Sequence, residues 1–308
     1  MSAGLKAIAN ELRRLQRDGV DRVFVEDHTL EQLIPVKACT PTTQEPSAES
    51  PSTEHPDLKK LVGTTVEAEP QAKAPKKIVS QVSYFAPIPE EAPKVRIAEG
   101  AAETQLAFLR EQVHSCPVCN EHLSERGKVV FGTGSATADI LFCGEAPGAD
   151  EEITGDPFVG KAGQLFTKII TAMGLSRESV YITNILKWRP EHDKPYGNRP
   201  PTLDEMRYCL PYLEAQIKII KPKAIVALGN TAVSGLLGPD PTRKMGQVRG
   251  TWASFAKIPV MITFHPSYLL RNGTLKTKRM VWEDMLKLME KCQLAISEKQ
   301  RGFFLPKS

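Results

Sequence analysis

The run "ADILFCG" (Ala138–Gly144) is apolar, short and closed by glycine. That is the length and texture of a strand buried on both faces rather than of a helix. Three later stretches read the same way: "GLSRESVYITN" (Gly174–Asn184), "KAIVALG" (Lys223–Gly229) and "IPVMITFHP" (Ile258–Pro266). Helical patterns lie between them, in "GKAGQLFTKIITAMG" (Gly160–Gly174), "TLDEMRYCLPYLEAQIKII" (Thr202–Ile220) and "NTAVSGLL" (Asn230–Leu237). Strand and helix alternating in this way predict an α/β protein with a parallel sheet covered on both faces. A long amphipathic helix, "KRMVWEDMLKLMEKCQLAI" (Lys278–Ile296), closes the pattern, with Cys292 on its apolar stripe. Open parallel sheets bind ligands beyond the carboxyl ends of their strands. The residues to watch are therefore Gly144 to Gly148, Asn184 with Lys187, Gly229 with Asn230, and His265 with Pro266.

Outward from this block the chain changes character. Leu5, Ile8, Leu12 and Leu15 recur at helical spacing before Gly19, so residues 1–34 predict a short helical segment, a candidate contact for a protein partner. Residues 35–99 carry ten of the chain's 24 prolines, all between Pro35 and Pro93, and predict a disordered linker. The folded domain is expected over 100–298, with a tail over 299–308. Of the 308 residues, 41% are hydrophobic and 25% charged, enough for a sizeable core. A net charge of +4 permits a polyanionic partner without demanding one. No charged-then-apolar leader or long apolar run is present, so the expectation is a cytoplasmic monomer with no membrane span. "GDPFVGKAG" approaches a phosphate loop through Gly155, Gly160 and Lys161, but Ala162 stands where a hydroxyl should meet magnesium, which argues against nucleotide hydrolysis.

Six cysteines at irregular spacing suggest reduced thiols or ligands rather than a disulfide framework. In "HSCPVCN" (His114–Asn120), Cys116 and Cys119 are spaced to hold one metal or one cluster, which still wants two further ligands.

Four stretches in order, "GEAPGADEEITGDPFVGKAGQLF" (Gly144–Phe166), "VYITNILKWRP" (Val180–Pro190), "NRPPTLDEMRYCLPYL" (Asn198–Leu213) and "HPSYLLR" (His265–Arg271), resemble the family 4 uracil-DNA glycosylases. The resemblance covers roughly residues 105–292. It implies a three-layer α/β/α sandwich around a four-stranded parallel sheet, hydrolysis of the uracil–deoxyribose bond in DNA by base flipping, and a [4Fe-4S] cluster. Cys116, Cys119 and Cys209 match three cluster ligands. Trp188 stands where the fourth cysteine belongs, and an indole N–H cannot replace a thiolate. Three alternatives follow: a substitute ligand, with His192 the best candidate; an incomplete cluster; or zinc on the three cysteines with His114 or His192.

The resemblance also implies roles. Glu151 is the first choice for the carboxylate that orients water or steadies the sugar cation, and Glu145 the second, with Asp150 and Glu152 nearby. Asn184 reads the uracil edge and Phe158 stacks on the base. His265 donates to the leaving base. Gly144 and Gly148, with Pro147, shape the loop beside the uracil. Leu269 and Leu270 form a wedge, and Arg271 meets phosphate, with Lys187 and Arg249 extending the basic face. The segment "EHDKPYG" (Glu191–Gly197) is longer than usual but lacks the basic run of the branch that bonds covalently to DNA, so release of uracil is expected. The rival readings are a DNA-binding protein with failed chemistry and a covalent uracil trap through His192.

Overall fold

A computed structural model describes residues 87–190 and 198–305. The segment 1–34, most of the expected linker, and His192 lie outside the described residues. Among the described residues the sheet has six strands: β1 (Thr133–Gly134), β2 (Ile140–Gly144), β3 (Tyr181–Asn184), β4 (Ala224–Leu228), β5 (Trp252–Phe255) and β6 (Ile258–Thr263). Their spatial order is β1-β3-β2-β4-β6-β5. The four expected strands are β3, β2, β4 and β6, all parallel to their neighbours. The sheet is wider than four because β1 and β5 add antiparallel edges. Neither edge announces itself in the sequence: β1 is two residues long, and β5 is partly exposed along its whole length.

Alternation along each central strand sends side chains into two cores. Leu141 and Cys143 of β2 and Ile225 and Ala227 of β4 face one core. That core is shared with the helices α1 (Ala102–His114), α2 (Pro117–Glu121), α3 (Leu203–Ile220) and α4 (Asn230–Leu237). Ile140, Phe142, Ala224, Val226 and Leu228 face the other, against α5 (Lys161–Ala172) and α6 (Leu275–Lys291). Two such layers explain why these strands carry no polar–apolar alternation. α3 starts with a capping box, in which Thr202 accepts from the Glu205 N–H and Glu205 accepts from the Thr202 N–H.

The folded unit is wider at both ends than the sequence suggests. Ile88, Val95 and Ile97 pack on the core, and the Arg96 backbone bonds both ways with the Gln112 amide. At the other end Trp282 donates to the Gln300 carbonyl, and Gln300 donates to that of Ala172. Gln300 and Phe303 therefore pack against the fold, while Phe304 and Leu305 are exposed.

Arg249, expected at DNA, belongs to the scaffold. Its guanidinium donates to both carboxylate oxygens of Asp284 and to the Met280 carbonyl. The side chains of Arg249 and Asp284 are 12% and 0% exposed, and Thr263 donates a further bond of 2.7 Å to Asp284. Burial still pushes the Asp284 carboxyl up, against the pull of Arg249. Arg249→Ala would leave that carboxyl buried without its cation. The expected loss is about 3–5 kcal/mol of stability, read from the denaturant midpoint.

Candidate active site

The chain steps from β2 outward to β3 and then crosses back to β4 on the far side of β2. Such a reversal opens a crevice at the carboxyl ends of the strands. A cleft of about 570 Å³ lies there. It is lined by residues that end or follow all four parallel strands: Glu145 and Gly148 after β2, Asn184 of β3, Thr231 after β4, and His265 after β6. Glu151, Phe158 and Arg271 complete the wall. The structure thus gathers Glu145, Gly148, Glu151, Phe158, Asn184, His265 and Arg271 around one cavity.

Asn184 is 2% exposed, and its side-chain Oδ1 has no hydrogen-bond partner. A buried acceptor without a donor costs about 1–3 kcal/mol, and here it borders an open cleft. Gly144 makes the opening. A Cβ on Gly144 would fall 2.3 Å from Asn184 Oδ1 and 2.6 Å from Phe158 Cζ. The missing side chain is the gap between amide and ring.

Phe158 takes φ 56°, a left-handed conformation that a bulky residue adopts at a cost on the order of 1–3 kcal/mol. Its ring lies 4.9 Å from that of Phe166 and 5.5 Å from that of His265, centroid to centroid. Glu151 fixes the segment that follows. Its Oε1 accepts from the Val159 and Gly160 N–H groups at 3.1 Å, and its Oε2 from the Gly148 N–H at 3.0 Å. Glu145 differs: burial raises its carboxyl, opposed by a hydrogen bond with Thr231.

His265 caps the short helix α7 (Pro266–Arg271). The Ser267 backbone N–H donates to Nδ1 at 3.2 Å, so the neutral ring carries its proton on Nε2. Burial, then the Arg271 charge, lowers its pKa to about 4. At physiological pH the ring is therefore neutral. In the same helix the expected wedge divides. Leu269 is buried against Phe264 and Val281, whereas Leu270 is 52% exposed. Leu269 is therefore a packing residue, because α7 turns only one of two adjacent leucines outward.

Lys187 needs a larger correction. It is fully buried rather than on a basic face. Its ammonium donates to Thr183 Oγ1 at 2.8 Å, the Asn184 carbonyl at 2.9 Å and Gln216 Oε1 at 3.0 Å. Burial lowers its pKa to about 8. It braces the backbone of Asn184 from behind. The sequence reading also missed Arg177, Asn198 and His122. Asn198 donates to the Pro147 carbonyl and accepts from Arg189 Nε, tying the loop after β3 to the loop after β2.

Cys116, Cys119 and Cys209 converge in the first core. Cys119 shares hydrogen bonds with both of the others, and Cys116 Sγ lies 3.4 Å from the Tyr208 hydroxyl. The Cys119 bond holds the Cys116 thiol low, while Cys119, between two sulfurs and buried, is pushed up. Trp188 is 1% exposed, with its indole nitrogen buried and unpartnered, and its ring lies 4.9 Å from that of His122. Among the described residues no group of three or more His, Cys, Asp or Glu side chains is arranged to hold a metal ion. The three thiols are of the donor type that holds an iron–sulfur cluster, and among the described residues no fourth ligand stands with them. His114 is exposed at the end of α1, and Cys143 is a buried strand thiol whose pKa burial pushes up to about 12.

The cleft and its fold have counterparts. Residues 131–287 match the family model of the uracil DNA glycosylase superfamily, and the chain belongs to that superfamily. A type-4 uracil-DNA glycosylase of Thermotoga maritima is 43% identical over 188 residues, which cover 60% of this chain and 93% of that protein. One of Saccharolobus solfataricus is 40% identical over 192 residues, covering 60% and 85%. A type-5 uracil-DNA glycosylase of Pyrobaculum aerophilum is 28% identical over 167 residues, covering 49% and 71%. Within the superfamily, the chain is a member of the type-4 group.

Proposed function

We propose that this chain hydrolyses the N-glycosidic bond of uracil in DNA, the first step in repairing that lesion by base excision. The observation that carries the reading is the orphaned Oδ1 of Asn184, buried beside Phe158 across the gap left by Gly144. Uracil offers that acceptor its N3–H, and the flipped base lies flat against the Phe158 ring. His265 Nε2–H donates to the base oxygen on which negative charge builds as the bond breaks. The base leaves as an anion from a sugar that has become oxocarbenium-like. Glu151, fixed by three backbone N–H groups, steadies that cation and orients the water that adds to it, with Glu145 as the second carboxyl on the same wall. Leu270 fills the space left in the duplex, and Arg271 meets phosphate.

Alkali treatment of a uracil-containing oligonucleotide after incubation, followed by a denaturing gel, tests this. Strand cleavage is expected. An unchanged strand would mean a binding protein, and a heat-stable slow band would mean covalent capture. A pH profile probes His265. Its lowered pKa keeps the ring neutral above about 4, so kcat/KM should hold through pH 6 and fall only near 4. A limb centred near 6.5 contradicts the neutral-donor role. Stability has the same sign. It falls as pH drops from 6.5 toward about 4, because the unfolded chain takes up that proton first.

The cofactor belongs to the same reading. Three converging thiols support an iron–sulfur cluster on Cys116, Cys119 and Cys209, with zinc as the alternative; His192 as fourth ligand lies outside the described residues. No chemical step above passes through it. Metal analysis of the purified chain should find iron, at about four per chain for a complete cluster; zinc alone overturns the assignment.

A further inference from the structure

Arg177 lies in the turn before β3, outside every stretch that carries the family resemblance. Its guanidinium reaches the aromatic wall of the cleft. Nη1 donates to the Phe158 carbonyl at 3.0 Å, and Nη2 donates to the Pro157 carbonyl at 2.6 Å. Nη1 also lies 3.4 Å from Thr167 Oγ1 on α5, which fixes the fork from its other side. The two carbonyls flank the left-handed turn at Phe158, and the next two N–H groups are the ones held by Glu151. The segment 157–160 is thus pinned at its carbonyls by one side chain and at its amides by another. Packing tightens it further: a Cβ on Gly163 would fall 1.9 Å from the Phe158 carbonyl oxygen.

We propose that Arg177 is a positioning residue that holds the Phe158 ring in the plane needed to receive the flipped base. The planar fork can span adjacent carbonyls, which a single ammonium cannot. The inference rests on the glycosylase reading for its effect on activity, but the clamp itself can be observed without turnover.

The experiment compares the wild-type chain with Arg177→Ala and Arg177→Lys. Hydrogen exchange by mass spectrometry over residues 156–163 reads the clamp. Exchange should quicken in both variants, and added guanidinium should slow it again in Arg177→Ala. Access is available through a hollow of about 380 Å³ lined by Arg177, Asp156 and Val159. In the uracil excision assay kcat/KM should fall by about 10²-fold, the scale of a small misplacement at a reacting group, with partial recovery in guanidinium and little from lysine. Inhibition by free uracil should weaken in step, whereas affinity for an abasic oligonucleotide, which has no base to stack, should stay within twofold. Unchanged exchange in Arg177→Ala overturns the proposal, as does a uniform loss of uracil and abasic affinity without rescue. A wild-type chain that fails to excise uracil would sink the glycosylase reading alone; the exchange result still decides the clamp.

Discussion

His265→Ala is expected to slow uracil excision by about 10²–10³-fold, the usual cost of one donor aimed at developing charge. The loss should fall on kcat. The reason is geometric. Ser267 occupies Nδ1, which leaves Nε2–H directed by the ring's fixed tautomer, and burial with Arg271 keeps the ring neutral. A neutral donor gains most when its acceptor becomes an anion, so the bond strengthens along the reaction and hardly matters before it. Affinity for an abasic oligonucleotide should change little. His265→Gln, which retains an N–H, should recover part of the rate. An equal loss in both variants, or a KM effect with kcat intact, would contradict the assignment.

Gly144→Ala is the second large expectation. A methyl group there meets Asn184 Oδ1 and Phe158 Cζ well inside contact distance. Both atoms are side-chain tips, so the fold can give way at modest cost, but the tips are the two walls of the proposed uracil slot. Activity should drop by about 10²-fold or more, while the denaturant midpoint moves little. Such a split, function lost and stability kept, separates a slot from a packing contact. A destabilised protein with normal turnover per folded molecule would refute it.

Much of the fold was legible because buried parallel strands read as unbroken apolar runs, and four such runs sit between helical patterns. The edges were not, since two residues of β1 and the half-exposed β5 carry too little pattern. In the cleft, residues that end or closely follow strands could be found from topology and order along the chain: Glu145, Asn184 and His265 all lie there. Charged residues misled in a consistent way. Lys187 and Arg249 look like solvated cations in isolation. Their partners, Gln216 and Asp284, are remote in sequence, and only the folded chain shows the cations inside. Leu269 and Leu270 were indistinguishable until a helix assigned each a direction. Arg177 had no signature at all, because its task is to hold backbone carbonyls, and carbonyls have no letter in a sequence. Trp188 was visible as a departure, but its buried, unpartnered nitrogen beside His122 was not.

The narrow rims of the sheet carry one more consequence. One outermost strand offers two residues and the other four, and each runs against the direction of its neighbour. Rims so brief give a second copy almost no ladder to extend. A molecule gathered at high local density along a polyanion can thus crowd against its own kind without zipping into aggregates.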